Sequence, residues 1–107
     1  MASDARAKED YRTHLAYLDL YVAAGRRTEA EKALQAIHQI ARRRYIRAGT
    51  FAGAYALLGD RERAFAWLER GVRERSLGPQ LKAERAFESL HSDPRWGRIL
   101  AAMHLKD

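Results

Sequence analysis

Hydrophobic positions along this chain recur at helical spacing. Tyr17, Leu18, Tyr21 and Val22 stand at i, i+1, i+4 and i+5, one face of a helix that stops at Gly25. Glycine directly after the last periodic residue suits a left-handed helix end, where a Cβ would be penalised. Thr28 then offers an N-cap oxygen, and Glu31 three residues later completes a capping box. Ala30, Leu34, Ile37 and Ala41 mark the expected buried stripe of the second helix. The next stretch reads the same way. Phe51, Tyr55 and Leu58 form a stripe that ends at Gly59, and Asp60 caps a helix facing inward through Ala64, Trp67, Leu68 and Val72.

The two stretches align at an offset of 34 residues: Tyr17 with Phe51, Tyr21 with Tyr55, Gly25 with Gly59, Ala30 with Ala64, Leu34 with Leu68. Each unit is therefore a helical hairpin, with small Ala30 and Ala64 where paired helices approach most closely. Beyond the second hairpin Gly78-Pro79 breaks the chain. Residues 79–90 are expected to make one or two short helical turns using Leu81, Phe87 and Leu90. Ser92-Asp93-Pro94 is a helix start, followed by Trp96, Ile99, Leu100 and Met103 at i, i+3, i+4 and i+7. That last helix can cover the face a third repeat would otherwise occupy.

With this spacing and these residues the chain resembles the tetratricopeptide repeat family. Gly25, Ala30 and Leu34 match the family's turn glycine, the alanine five residues later and the large residue four beyond it. Gly59, Ala64 and Leu68 match again, and Tyr21 and Tyr55 match its first-helix tyrosine. Departures are Leu18 and Ala52 at the usual first-helix glycine, Ile37 and Gly71 at the second-helix alanine, and no closing proline. The resemblance implies an all-α fold, an α-solenoid of two hairpins (about 11–44 and about 45–78) plus a capping helical segment over about 79–107, as a single domain. Residues 55–60, 64–69 and 92–96 also resemble the closing repeat module of bacterial multidomain regulators, with His91 and Trp96 where arginine and phenylalanine are usual. That likeness implies bacterial origin and a scaffold role, and leaves open whether the chain is a piece of a longer one.

Composition narrows the chemistry. With 107 residues, 47% hydrophobic and 32% charged, the balance is that of one small globular domain. The absence of cysteine excludes thiolate metal sites and cysteine nucleophiles. The start, Met1-Ala2-Ser3-Asp4-Ala5-Arg6, is polar, and no apolar run is long enough for a transmembrane helix, so a cytoplasmic location is expected. His14, His38, His91 and His104 are scattered at no metal-ligand spacing, and no nucleophile–base or paired-carboxylate arrangement is evident. No enzyme activity, cofactor or metal is expected. Tyr17, Tyr21, Phe51, Tyr55, Phe65, Trp67 and Trp96 read as helix-seam residues rather than a ligand box.

Net charge is +6, of which residues 42–47 carry +4. Arg42, Arg43, Arg44 and Arg47 around Tyr45 could bind an anion or nucleic acid with the ring as a stacking face. They could instead close the second helix, where cations favour the macrodipole. Arg70, Arg73 and Arg75 recur at the matching end of the next hairpin, which favours the helix-end reading, and Glu69 with Arg73 makes an i, i+4 pair. The family resemblance implies peptide binding along the concave face of the first helices. In this chain that face is expected to include Arg12, Leu15, Asp19, Ile46, Gly49, Thr50 and Gly53. Leu15, Asp19, Gly49 and Gly53 replace the Lys and Asn of family members that clamp a peptide carboxylate, so recognition of that kind is not expected. The expected function is a protein-interaction scaffold that binds a peptide, a helix or a second copy of itself. Nucleic-acid binding through the basic run is the alternative.

Overall fold

Left-handed residues at Gly25, Gly59 and Arg75 each end a helix. The computed structural model describes residues 10–103, and all regular structure among them is helical. Helices α1 (Tyr11–Ala23) and α2 (Arg27–Ala41) are followed by α3 (Ala48–Leu57) and α4 (Arg61–Glu74). Two 3-10 segments (Pro79–Ala83 and Arg85–Leu90) then lead to α5 (Pro94–Ala102). Contacts divide the chain into two compact units, Met1–Ile46 and Arg47–Asp107, so each hairpin belongs to its own unit.

In the first unit α1 and α2 pack as a hairpin around Gly25, whose φ is +74°. The Arg26 N–H donates to Tyr21 O at 2.8 Å and the Gly25 N–H to Val22 O at 3.1 Å, closing the helix with the 6→1 bond of a Schellman turn. That turn corrects the expected capping box. Helix α2 begins at Arg27, so Thr28 lies inside its first turn, and the N-cap position falls to Arg26, which makes no side-chain capping bond. The buried stripe of α2 is Ala30, Ala33, Leu34, Ile37 and Ile40; Ala41 is half-buried. On α1, Leu18 is buried. Asp10 caps this helix, its carboxylate accepting from the Arg12 N–H at 2.9 Å.

The second unit repeats the turn. Gly59 has φ +84°, and the Asp60 N–H donates to Tyr55 O at 2.9 Å. Here the residue after the glycine is an aspartate, and its carboxylate accepts from the Arg63 N–H at 3.1 Å. Helix α3 is built almost wholly of small and apolar residues, with Ala48, Phe51, Ala52, Gly53, Ala54 and Ala56 buried. A helix so apolar must be covered on more than one side. Its covers within the unit are α4 and the second 3-10 segment. Gly53 makes room for that segment: a Cβ there would lie 3.6 Å from Ala86 Cβ and 3.8 Å from the Phe87 ring. Phe51 stacks on Trp67 at 4.4 Å between centroids, and Phe87 meets Trp96 at 5.7 Å. Phe65, Leu68, Leu81, Phe87, Leu90, Ile99 and Leu100 complete a continuous core.

Helix α5 is held by its own start. Asp93 is the N-cap and Pro94 the first helical residue, as the sequence predicts. The Asp93 carboxylate accepts from the Arg95 N–H at 2.9 Å and from the Arg95 guanidinium at 2.9 Å. These bonds lower the Asp93 pKa from 3.8 to about 2. Arg95 also pairs with Glu62 of α4 and lies 4.4 Å over the Phe65 ring, tying α5 to α4. The third helix end of this kind, at the carboxyl end of α4, has no glycine. Arg75 takes the left-handed conformation with φ 54°, and the Ser76 N–H donates to Gly71 O at 3.0 Å.

Candidate interaction surfaces

Helix α1 carries more apolar side chains than its hairpin buries. Tyr11, Leu15, Tyr17, Leu18, Leu20, Tyr21 and Val22 are all large and apolar, yet only Leu18 among them is buried. Tyr17 is 51% exposed and Leu20 65% exposed. Tyr17 is thus corrected from a buried seam residue to a surface one. The reason is angular: Leu18 takes the inward direction, and Tyr17, one residue back, is turned about 100° from it. Ala16, Tyr17, Leu20, Ala23 and Ala24 follow at helical spacing and are all exposed, forming an uncharged stripe. Beside it, Tyr17 and Tyr21 (ring centroids 6.3 Å apart) line a shallow cleft of about 250 Å³ with His14, Glu29, Lys32, Ala33 and Ala36.

The expected groove residues lie in contrasting settings. Arg12 is exposed on α1, with its guanidinium 5.5 Å over the Tyr11 ring, while Leu15 and Asp19 are half-buried. Ile46 and Gly53 are buried, which corrects their assignment to an open groove. Thr50 is half-buried. Gly49 faces Leu77, whose Cδ2 would stand 3.3 Å from a Cβ at that position. Within the second unit, then, the glycines of α3 receive the chain's own later segments. The small residues that looked like a shallow groove are the seats of Leu77, Ala86 and Phe87.

The basic run lies past the end of α2, which stops at Ala41 with Arg42 as its C-cap. The Arg43 and Arg44 N–H groups donate to Ile40 O at 3.0 and 3.1 Å, so the backbone of the run closes the helix. Arg42, Arg43, Arg44, Tyr45 and Arg47 are exposed, Tyr45 at 71%. Other arginines have carboxylates in reach: Arg27 with Glu31 at 3.5 Å, Arg63 with Asp60 at 2.8 Å, Arg70 with Glu74 at 2.9 Å. The last of these stands where Glu69 with Arg73 had been expected. Among the described residues Arg42, Arg44 and Arg47 have no such partner. The sequence signal is plain once sought: no acidic residue occurs from Lys32 to Gly59.

Histidines stay scattered. His38 is half-buried, and desolvation lowers its pKa from 6.5. His91 rests against Trp96 at 4.8 Å, His14 lines the small cleft of α1, and His104 lies outside the described residues. Among the described residues no three His, Asp or Glu are grouped to hold a metal ion, and no helix is long and apolar enough to cross a membrane. Comparison with known proteins finds no matching family model, curated protein or solved structure.

Proposed function

We propose that this chain is a helical-repeat interaction module of tetratricopeptide type, a scaffold rather than an enzyme, that docks a protein helix or a second copy of itself. The observation that carries the reading is the exposed stripe of α1. A small domain gains nothing in its own stability from Tyr17 and Leu20 turned to water, and contiguous exposed apolar surface is the usual mark of a docking face. Ala16, Ala23 and Ala24 let another backbone come close, Leu20 supplies an aliphatic anchor, and Tyr17 offers an aromatic one with a polar tip. The neighbouring cleft of about 250 Å³ has room for one side chain of an incoming helix. This face replaces the concave groove, whose α3 positions are occupied by the chain itself.

A photo-crosslinking residue tests the assignment. Placed at Leu20 it captures a protein partner or a second copy; placed at Arg98, on the exposed face of α5, it does not. Equal capture at both positions, or none at Leu20, removes the proposal. A second reading rests on the basic run, where three exposed arginines without carboxylate partners among the described residues flank an exposed tyrosine ring. Under it the chain binds single-stranded nucleic acid with an affinity that falls steeply with salt. Fluorescence anisotropy at two salt concentrations, with and without Arg42→Ala, Arg44→Ala and Arg47→Ala, decides it. Salt-independent binding, or binding unchanged in the triple variant, would exclude it.

A further inference from the structure

Three helices in this chain end in the same turn, and the residue in the left-handed position differs at one of them. Helices α1 and α3 use Gly25 and Gly59; α4 uses Arg75, at φ 54° and ψ 38°. All three close with the same 6→1 bond, Arg26 N–H to Tyr21 O, Asp60 N–H to Tyr55 O and Ser76 N–H to Gly71 O. A side chain in this conformation costs about 1–2 kcal/mol that glycine does not. An arginine held there against the cost invites a question about what its side chain does.

Arg75 lines a cleft of about 700 Å³ at the carboxyl end of α4. Val72, Leu77, Pro79, Ala102 and Met103 give the cleft an apolar lining, with the Gly71 backbone beside them, and its charged members are Arg73 and Arg75. Both arginines are exposed, and among the described residues neither has a carboxylate partner. None of the described lining residues is acidic. Glu74, which lies between the two in sequence, is bound to Arg70 at 2.9 Å and so does not neutralise them. A cleft with an apolar half and two arginines that no described carboxylate neutralises is complementary to a molecule with a hydrocarbon body and one anionic head. Its volume lies in the range of small-molecule sites. We propose that this cleft binds an aliphatic carboxylate, with the chain against Val72, Leu77 and Met103 and the head bound by Arg73 and Arg75. Guanidinium groups bind a carboxylate through charge-assisted, commonly bidentate hydrogen bonds, which gives the head its specificity. A polyanion would leave the apolar half of the cleft unused, so a free fatty carboxylate is the better match.

The test is titration of the full chain with dodecanoate below its micelle concentration, followed by calorimetry and by amide shifts of Gly71, Leu77 and Ala102. Dodecanoate should bind and shift these amides, while acetate and dodecyltrimethylammonium should not, because each lacks one half of the recognition. Arg73→Ala and Arg75→Gly should each weaken dodecanoate about ten-fold or more, the scale of a lost charged hydrogen bond. Arg75→Gly should at the same time raise the melting temperature by several degrees, since glycine relieves the left-handed strain. A residue with a structural role alone would move only the melting temperature. Equal binding of the cationic amphiphile, dodecanoate affinity unchanged in Arg75→Gly, or binding of a leucine-terminated peptide with dodecanoate silent would overturn the assignment.

Discussion

Replacing three helical glycines by alanine, one at a time, probes how tightly the second unit is packed. In a helix interior this substitution recovers about 0.8–1 kcal/mol of backbone propensity. The gain is nearly common to Gly97, Gly53 and Gly71, so differences among them report what the new methyl meets. At Gly97, on the exposed side of α5, a Cβ meets nothing within 4 Å, and the full gain is expected. That corresponds to a rise of roughly 4–8 °C in melting temperature for a domain of this size. At Gly53 the methyl would lie 3.6 Å from Ala86 Cβ, ordinary contact, and a smaller gain follows. At Gly71 it would fall 2.6 Å from Leu77 Cδ2 and 2.7 Å from Leu77 Cγ, so Leu77 must leave its seat. Overpacking of this kind costs about 1–3 kcal/mol, more than the propensity gain, and a net loss of about 1 kcal/mol is expected. Thermal and urea unfolding of the three variants measure the series. The double variant Gly71→Ala with Leu77→Ala should be less damaged than the two single changes added together, because the clash is shared. A Gly71→Ala protein as stabilised as Gly97→Ala would show that Leu77 moves aside freely and has no tight seat.

Other consequences can be checked beside it. Arg26→Asp places at the start of α2 the cap that Asp60 supplies to α4; it should add about 0.5–1 kcal/mol, and Asp60→Ala should remove about 1 kcal/mol, both read by urea unfolding. Because folding lowers the Asp93 pKa from 3.8 to about 2, the unfolded chain binds more protons in that interval. The stability from this carboxylate is complete above about pH 5 and is lost as pH falls toward 2; Asp93→Asn should flatten the melting-temperature profile there, and a parallel profile would refute the linkage. Phe87, fully buried beneath α3 and against Trp96, should cost about 3–5 kcal/mol when cut to alanine. Tyr45→Ala, at an exposed position, should leave unfolding nearly unchanged and reduce only any nucleic-acid affinity.

The hairpins were legible because their signals are local. Gly25 and Gly59 end helices by conformation, Asp60 and Asp93 begin them by side-chain bonds, and Ala64, Leu68, Trp96 and Ile99 repeat at helical spacing. Each can be read within a window of a few residues. The Thr28 capping box failed for a reason of the same local kind: the Schellman bond fixes Arg26 one residue after the glycine, and the helix follows at once. The surfaces were less legible because they depend on what lies across from a residue. Gly49 and Gly53 read as an open groove until Leu77, Ala86 and Phe87, at least 28 positions later in the chain, are found against them. Apolar periodicity on α1 was visible, but not which of two neighbouring faces the hairpin would bury, since seven large apolar residues surround a helix that needs only one side covered.

Arg75 shows the complementary limit. Its sequence context carries no stop signal of the kind that marked the other two turns, and its charge reads naturally as a helix-end preference. A helix-end cation needs only to lie near the last carbonyls, and Arg73 in the last turn already meets that need. Helix termination needs only a residue that accepts positive φ, for which the chain twice uses glycine. Neither requirement places an arginine in the left-handed position itself. What the position does achieve is to make Arg75 part of the lining of a cleft in which no described residue is a carboxylate. The strain and the proposed site are two descriptions of one placement, and a variant that relieves the first while weakening binding at the second, Arg75→Gly, separates a device for ending a helix from a device for holding a ligand.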